Sequence, residues 1–307
     1  MSCTLEAALT QTLHEVLRCP ICRASQVAMV IASGSKSIRR CLRCDARFLH
    51  PQPSPAEVSQ YFQTLEDDAP ASDLERDYQY CRKNVLARVA TAIQARKAQG
   101  SILDVGCATG FFLNTFFGGW NRSALELSPR KAELARRGGT RVRIGDLFSA
   151  RFPCTSFDVA TLLDAFYYVR DPQATLTEFR RLLKDDGILV LEMAWATSYI
   201  WRRTGVVGRL FEESPLLDMS DHLFDYTPRT LSLLLHNSGF IVDDILMLPA
   251  NRQERWIRAN LWRTYSSLSR ATFVLSRGRL CLGPRFMVIA RKAPSARGLG
   301  VIPSPAR

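Results

Sequence analysis

From Ser101 onward the chain alternates short apolar runs with polar, helix-compatible segments, and this rhythm limits the fold more than any other feature. Ile102-Leu103-Asp104-Val105 is the first run, Ser123–Leu127 the second and Val142-Arg143-Ile144 a weaker third. Phe157–Leu163 and Gly187–Glu192 are the fourth and fifth. Runs this short and continuously apolar suit strands covered on both faces, and the intervening Pro129–Arg137 and Pro172–Leu183 suit helices. Strands alternating with helices at this spacing predict an α/β fold, a doubly wound, mostly parallel sheet. At 307 residues the chain has room for about two domains.

The N-terminal part reads differently. Cys19-Pro20-Ile21-Cys22 and Cys41-Leu42-Arg43-Cys44 are two C-x2-C knuckles separated by 18 residues. Each knuckle offers two thiolates from a tight turn, and two knuckles complete a tetrahedron around Zn²⁺. Four protein ligands close the coordination sphere, so Cys19, Cys22, Cys41 and Cys44 predict a structural metal. A redox dithiol motif is the competing reading for the first knuckle, but it needs a strand–helix setting absent here and leaves the second knuckle unexplained. The other cysteines, Cys3, Cys81, Cys107, Cys154 and Cys281, show no partner spacing and read as packing residues. Four segments follow: a head at 1–55, a helical connector at 56–99, the α/β domain at 100–293, and a Pro/Gly/Ser/Ala-rich tail at 294–307 read as disordered.

The net charge is +12, and Asn251–Lys292, with ten basic residues and one acid, supplies +9 of it. A local basic excess suits an anionic partner such as nucleic acid or a phospholipid surface, or else a solvated helix face. Within it Ile257, Leu261, Tyr265 and Leu268 form an apolar stripe flanked by Arg and Trp, the pattern of a surface-lying membrane helix or of ordinary core packing. No run of 18 apolar residues exists and no export signal opens the chain, which predicts a cytoplasmic protein, membrane-peripheral at most.

The first strand leads into Asp104-Val105-Gly106-Cys107-Ala108-Thr109-Gly110, a Gly-rich turn at the carboxyl end of a parallel strand, where such sheets bind cofactors. The three-glycine dinucleotide fingerprint fails here, because Ala108 and Phe111 occupy its second and third positions. No G-K-[ST] follows to hold a pyrophosphate.

Ile102–Gly110, ILDVGCATG, resembles motif I of the class I S-adenosylmethionine-dependent methyltransferases, and the resemblance spans roughly residues 84–292. It departs mildly at Ala108, where the family usually has Gly. It implies a Rossmann-like seven-stranded sheet and S-adenosylmethionine as methyl donor. Asp104, Gly106 and Gly110 would cradle the amino-acid part of the donor. Glu126, ending the second strand, would accept from the ribose hydroxyls. Asp146 would meet the adenine amine, or else cap a turn, and Leu127 and Leu147, with Phe148, would flank the ring or pack in the core. Asp164 would face the transferring methyl.

A hydroxyl or carbon acceptor needs a base. The candidates are His222, Asp164, Tyr167, Tyr168 and Asp225. His222 leads because imidazole titrates near neutrality, and its segment resembles the family stretch in which a His precedes an aromatic-Thr-Pro turn. A satisfied structural histidine is the plainer alternative. The Asn-Pro-Pro-aromatic sequence of base-amine methyltransferases is absent after the fourth strand. The knuckles, with Phe48–Ser54 and Tyr61-Phe62, resemble the zinc-ribbon head of bacterial sugar, polysaccharide and natural-product methyltransferases. That implies a small-molecule, glycosyl or lipid-linked acceptor methylated on oxygen or carbon. Two alternatives stand beside it: a ribosomal or transfer RNA methyltransferase using the basic stretch, and a catalytically inactive binding module on the same fold.

Overall fold

In the computed structural model, residues 18–33, 35–54, 56–58, 60, 82–194, 222–248, 271–272, 275 and 285–294 are described. Tyr61-Phe62, Cys3, Cys81, Cys281, the Ile257–Leu268 stripe and residues 295–307 of the tail lie outside them.

The expected sheet is present. Strands β4 (Gly100–Val105), β5 (Trp120–Glu126), β6 (Arg141–Ile144), β7 (Phe157–Leu163) and β8 (Leu183–Ala194) run parallel. Strands β10 (Phe240–Leu248) and β11 (Arg285–Lys292) add an antiparallel edge, giving the order β10-β11-β8-β7-β4-β5-β6. The chain winds outward through β4, β5 and β6, then returns to start again at β7. The crevice between the carboxyl ends of β4 and β7 is therefore the topological switch point, where sheets of this kind take ligands.

Local chemistry sets the helix starts. Helices α2 (Pro129–Arg137) and α3 (Pro172–Leu182) each open with a capping residue followed by proline, as does α4 (Pro228–Asn237). Ser128 accepts from the Lys131 amide, Asp171 from Ala174 and Thr227 from Thr230, and each cap is worth about 1 kcal/mol. In the connector, α1 (Lys83–Gln94) buries Val85, Val89 and Ile93 on one face.

The head is a small antiparallel sheet of β1 (Val27–Ser33), β2 (Lys36–Cys41) and β3 (Arg47–His50). Its fourth strand is β9 (Phe224–Asp225), which comes from the α/β domain and pairs with β3 through Phe48↔Phe224 and Arg47↔Asp225. A boundary at residue 55 therefore does not isolate the head. One buried cluster runs from Cys19, Cys41, Cys44 and Phe48 through Leu223, Phe224 and Tyr226 to Phe166 and Leu231. Of the cysteines outside the knuckles, Cys107 is buried as expected, whereas Cys154 is exposed.

Candidate active site

The glycine loop has the shape its sequence suggests. Gly106 and Gly110 have φ of +75° and +77°, and even Ala108 is left-handed at +48°. A Cβ on Gly106 would meet only Ala165, at 3.7 Å, an ordinary contact that ties the loop to the end of β7. Asp104 lies beneath it, 2% exposed, accepting from the Thr161 hydroxyl at 2.6 Å. Burial lifts its carboxyl to about 7, against the opposing pull of Thr161 and Arg82. A buried carboxylate with one donor beside a left-handed glycine turn fits the ammonium of an amino-acid moiety.

Glu126 organises the same turn from the end of β5. One carboxylate oxygen accepts from the Ala108 amide at 2.7 Å, the other from Ser128 at 3.0 Å. Asp146 sits at the surface and accepts from the Phe148 and Ser149 amides at 3.0 and 2.7 Å, which is the turn-capping arrangement. Leu147 is buried and Leu127 half-buried, while Phe148 and Ile144 are 53% and 50% exposed beside them. These apolar side chains fit the face of an adenine ring.

At the end of β7 the structure joins three of the candidate residues in one chain of contacts. The Tyr167 hydroxyl donates to Asp164 at 2.6 Å. The His222 ring lies on the Tyr167 ring, 3.8 Å between centroids and tilted 31°, with Tyr168 edge-on at 5.4 Å. Asp164 itself adopts φ +61°, a conformation costly for a residue with a side chain.

The reading of Asp164 and Tyr167 as bases needs correction. Asp164 pairs with Arg285 and, at 3.2 Å, with Arg82. Burial would lift its carboxyl, but the two guanidiniums outweigh that and hold it well below the usual carboxylate range. A carboxylate so stabilised is a poor proton acceptor. Burial and the neighbouring Asp164 push the Tyr167 phenol well up, so it stays a donor. Asp225, the other carboxylate candidate, lies buried in β9 within the head's sheet.

Arg82, Glu192 and Arg285 were not singled out as site residues from the sequence. Glu192 is fully buried in β8 and bridges Arg82 and Arg285. Two arginines and two carboxylates thus form a neutral, buried quartet under the site. An isolated Glu inside the apolar Ile188–Met193 run was the available signal, since a buried charge demands a partner. Arg285 belongs to the stretch read as a basic face, yet it points inward, and Arg291 and Lys292 pair with Asp243 and Asp185 at 2.9 and 3.6 Å. The other seven basic residues of that stretch lie outside the described residues.

The four head cysteines gather as the knuckles require. Their sulfurs all lie within 4.8 Å of one another, with Cys19–Cys44 at 3.6 Å and Cys22–Cys41 at 3.5 Å. Zn–S bonds of about 2.3 Å in a tetrahedron put sulfurs about 3.8 Å apart, so the donor set fits zinc.

Fold, glycine loop and acidic strand ends together are those of a Rossmann-like methyltransferase domain. Residues 73–245 match the family model described as Methyltransferase domain, and the chain belongs to that family. Among curated proteins it is 26% identical over 135 residues to a malonyl-[acyl-carrier protein] O-methyltransferase of Paenibacillus sp. (strain JDR-2), covering 38% of this chain and 48% of that protein. It is 27% identical over 179 residues to a tRNA U34 carboxymethyltransferase of Methylococcus capsulatus, covering 55% of this chain and 52% of that protein. The chain thus spans about half the length of the curated relatives it matches. Among solved structures, geranyl diphosphate C-methyltransferase from Streptomyces coelicolor superposes with a TM-score of 0.51 at 15% identity, over 79% of this chain and all of that one. Among the described residues no helix is long and apolar enough to cross a membrane.

Proposed function

We propose that the enzyme methylates oxygen or carbon of a small-molecule, glycosyl or lipid-linked acceptor, with His222 as general base. The observation that carries this reading is the contact chain His222–Tyr167–Asp164 at the switch point, beside the glycine loop. Bound S-adenosylmethionine supplies a methyl group already activated by the sulfonium charge. The protein's task is then alignment and removal of the acceptor's proton. Asp104 holds the donor's ammonium, Glu126 takes the ribose hydroxyls while fixing the Ala108 amide, and Leu127 and Leu147 border the adenine, near Asp146. The acceptor's proton passes to the His222 imidazole. Tyr167 braces that ring from one face, and Asp164, locked by Arg82 and Arg285, braces Tyr167. The four-cysteine head supports the biosynthetic subclass, whose members carry such a module, with its zinc in a structural role.

The test uses purified protein, methyl-labelled S-adenosylmethionine and fractionated host extract. Label in glycan, lipid or small molecules supports the proposal. RNase-sensitive label overturns it in favour of RNA methylation, the reading favoured by the similarity to the tRNA-modifying relative. No label in any fraction despite cofactor binding makes the chain an inactive binding module. With the acceptor in hand, His222→Asn should lower kcat at least about 100-fold, with S-adenosylhomocysteine affinity within about twofold.

A further inference from the structure

We infer that the four-cysteine cluster is a positioning device for His222, so that metal occupancy sets the geometry of the methyl-transfer site and not only the fold of the head. This rests on the base assignment above for its catalytic consequence, though not for its structural content.

The path is short and made of named bonds. Cys41 ends β2, and its carbonyl and amide close the second knuckle with the Asp45 amide and the Ala46 carbonyl, at 3.0 and 2.8 Å. That turn feeds directly into β3, which pairs with β2 from Arg40↔Arg47 to Ser37↔His50. From β3 the Leu49 amide donates to the Leu223 carbonyl at 3.0 Å. From the other side, the Leu223 amide donates to the Tyr167 carbonyl at 2.9 Å. Leu223 is therefore gripped at both ends, once by the head and once by the catalytic turn, and it is the residue next to His222. A second tether runs from the Thr230 hydroxyl at the start of α4 to the Cys44 carbonyl at 3.2 Å. The rings of Phe224, Tyr226 and Phe166 pack in series between the two, at 5.7 and 5.2 Å.

Length explains why a metal would matter. Strand β9 has two residues and β3 four, too few to hold a register by themselves. Their register is borrowed from the knuckles, and the knuckles are closed by whatever holds four sulfurs together. Without a cation, only weak thiol contacts join the two knuckles through their sulfurs. The knuckles then relax, β9 loses its partner, and the His222 ring loses its fixed place on Tyr167. Asp104 on β4, the glycine loop that follows it and Glu126 on β5 share none of these bonds.

The test is NMR of the full-length protein labelled at histidine Cε1. Its four histidines give four signals, and His222→Asn identifies the one of interest. In the zinc-loaded protein stacking on Tyr167 displaces that signal by ring current. Removing zinc with a chelator, with metal content checked by mass spectrometry, should return it toward the free-histidine position. S-adenosylhomocysteine affinity by calorimetry should stay within about threefold, and one equivalent of Zn²⁺ should restore the signal. Thr230→Val, which spares the cysteines, should move the signal partway with zinc still bound. An unmoved His222 signal after zinc loss overturns the inference. So does collapse of S-adenosylhomocysteine binding in parallel with the shift, because zinc would then serve general folding. A His222→Asn enzyme of undiminished kcat would instead sink the base assignment and leave the coupling intact.

Discussion

Asp104 offers the sharpest test, because burial gives it a measurable signature. Its carboxyl sits at about 7 in the folded protein and near 3.9 in an unfolded chain, a gap of about three pH units. At about 1.4 kcal/mol per unit, keeping it ionised in the fold costs about 4 kcal/mol at pH 8. The sign follows from proton uptake. Between the two values the folded state holds a proton that the unfolded state has lost, so Asp104 lowers stability as pH rises, most steeply up to about 7. Asp104→Asn stays neutral throughout. Urea denaturation should find it more stable than the parent by up to about 4 kcal/mol at pH 8 and by about 1.5 kcal/mol at pH 5. Cofactor binding should run the opposite way, since an ammonium needs the ionised form. Parent affinity for S-adenosylhomocysteine should fall about tenfold from pH 8 to pH 6. The variant should bind about 1.5–3 kcal/mol more weakly and without that dependence. A stability difference independent of pH, or a parent affinity flat over this range, would refute the reasoning.

The buried quartet and the loop give further predictions. Arg285→Met leaves Glu192 and Asp164 short of a cation and should cost about 3–5 kcal/mol in chemical denaturation, whereas Arg285→Met combined with Glu192→Met should recover at least half of it. Gly110→Ala places a Cβ 2.9 Å from the Ala135 Cβ at φ +77°, and should lose about 2–4 kcal/mol together with cofactor affinity. Gly118→Ala, with φ +67° and nothing within 4 Å, isolates the backbone part and should lose only about 1–2 kcal/mol in the same assay. Glu126→Ala frees the Ala108 and Ser128 amides and should weaken S-adenosylhomocysteine binding at least about tenfold by calorimetry, while unchanged affinity would count against the ribose contact.

The sequence alone determined what is local and periodic. Apolar runs gave the parallel strands, the polar segments opening at Pro129 and Pro172 gave two helices, and Gly106 and Gly110 gave the left-handed turn after β4. Paired knuckles gave the four cysteines that converge. Only the tertiary structure decided what long-range contact sets. Glu192 meets Arg82 and Arg285 across 110 and 93 residues of chain, and charge counting placed Arg285 on a surface it does not occupy. A two-residue strand such as β9 has no periodicity to read, yet it joins the head's sheet to the α/β domain. Asp164 looks like a base in sequence and becomes an anchored anion in the fold, because its protonation is fixed by guanidiniums that arrive from β11 and from the start of α1. Residue type announces which groups can ionise, and the neighbours that burial brings together decide whether they give up or keep the proton.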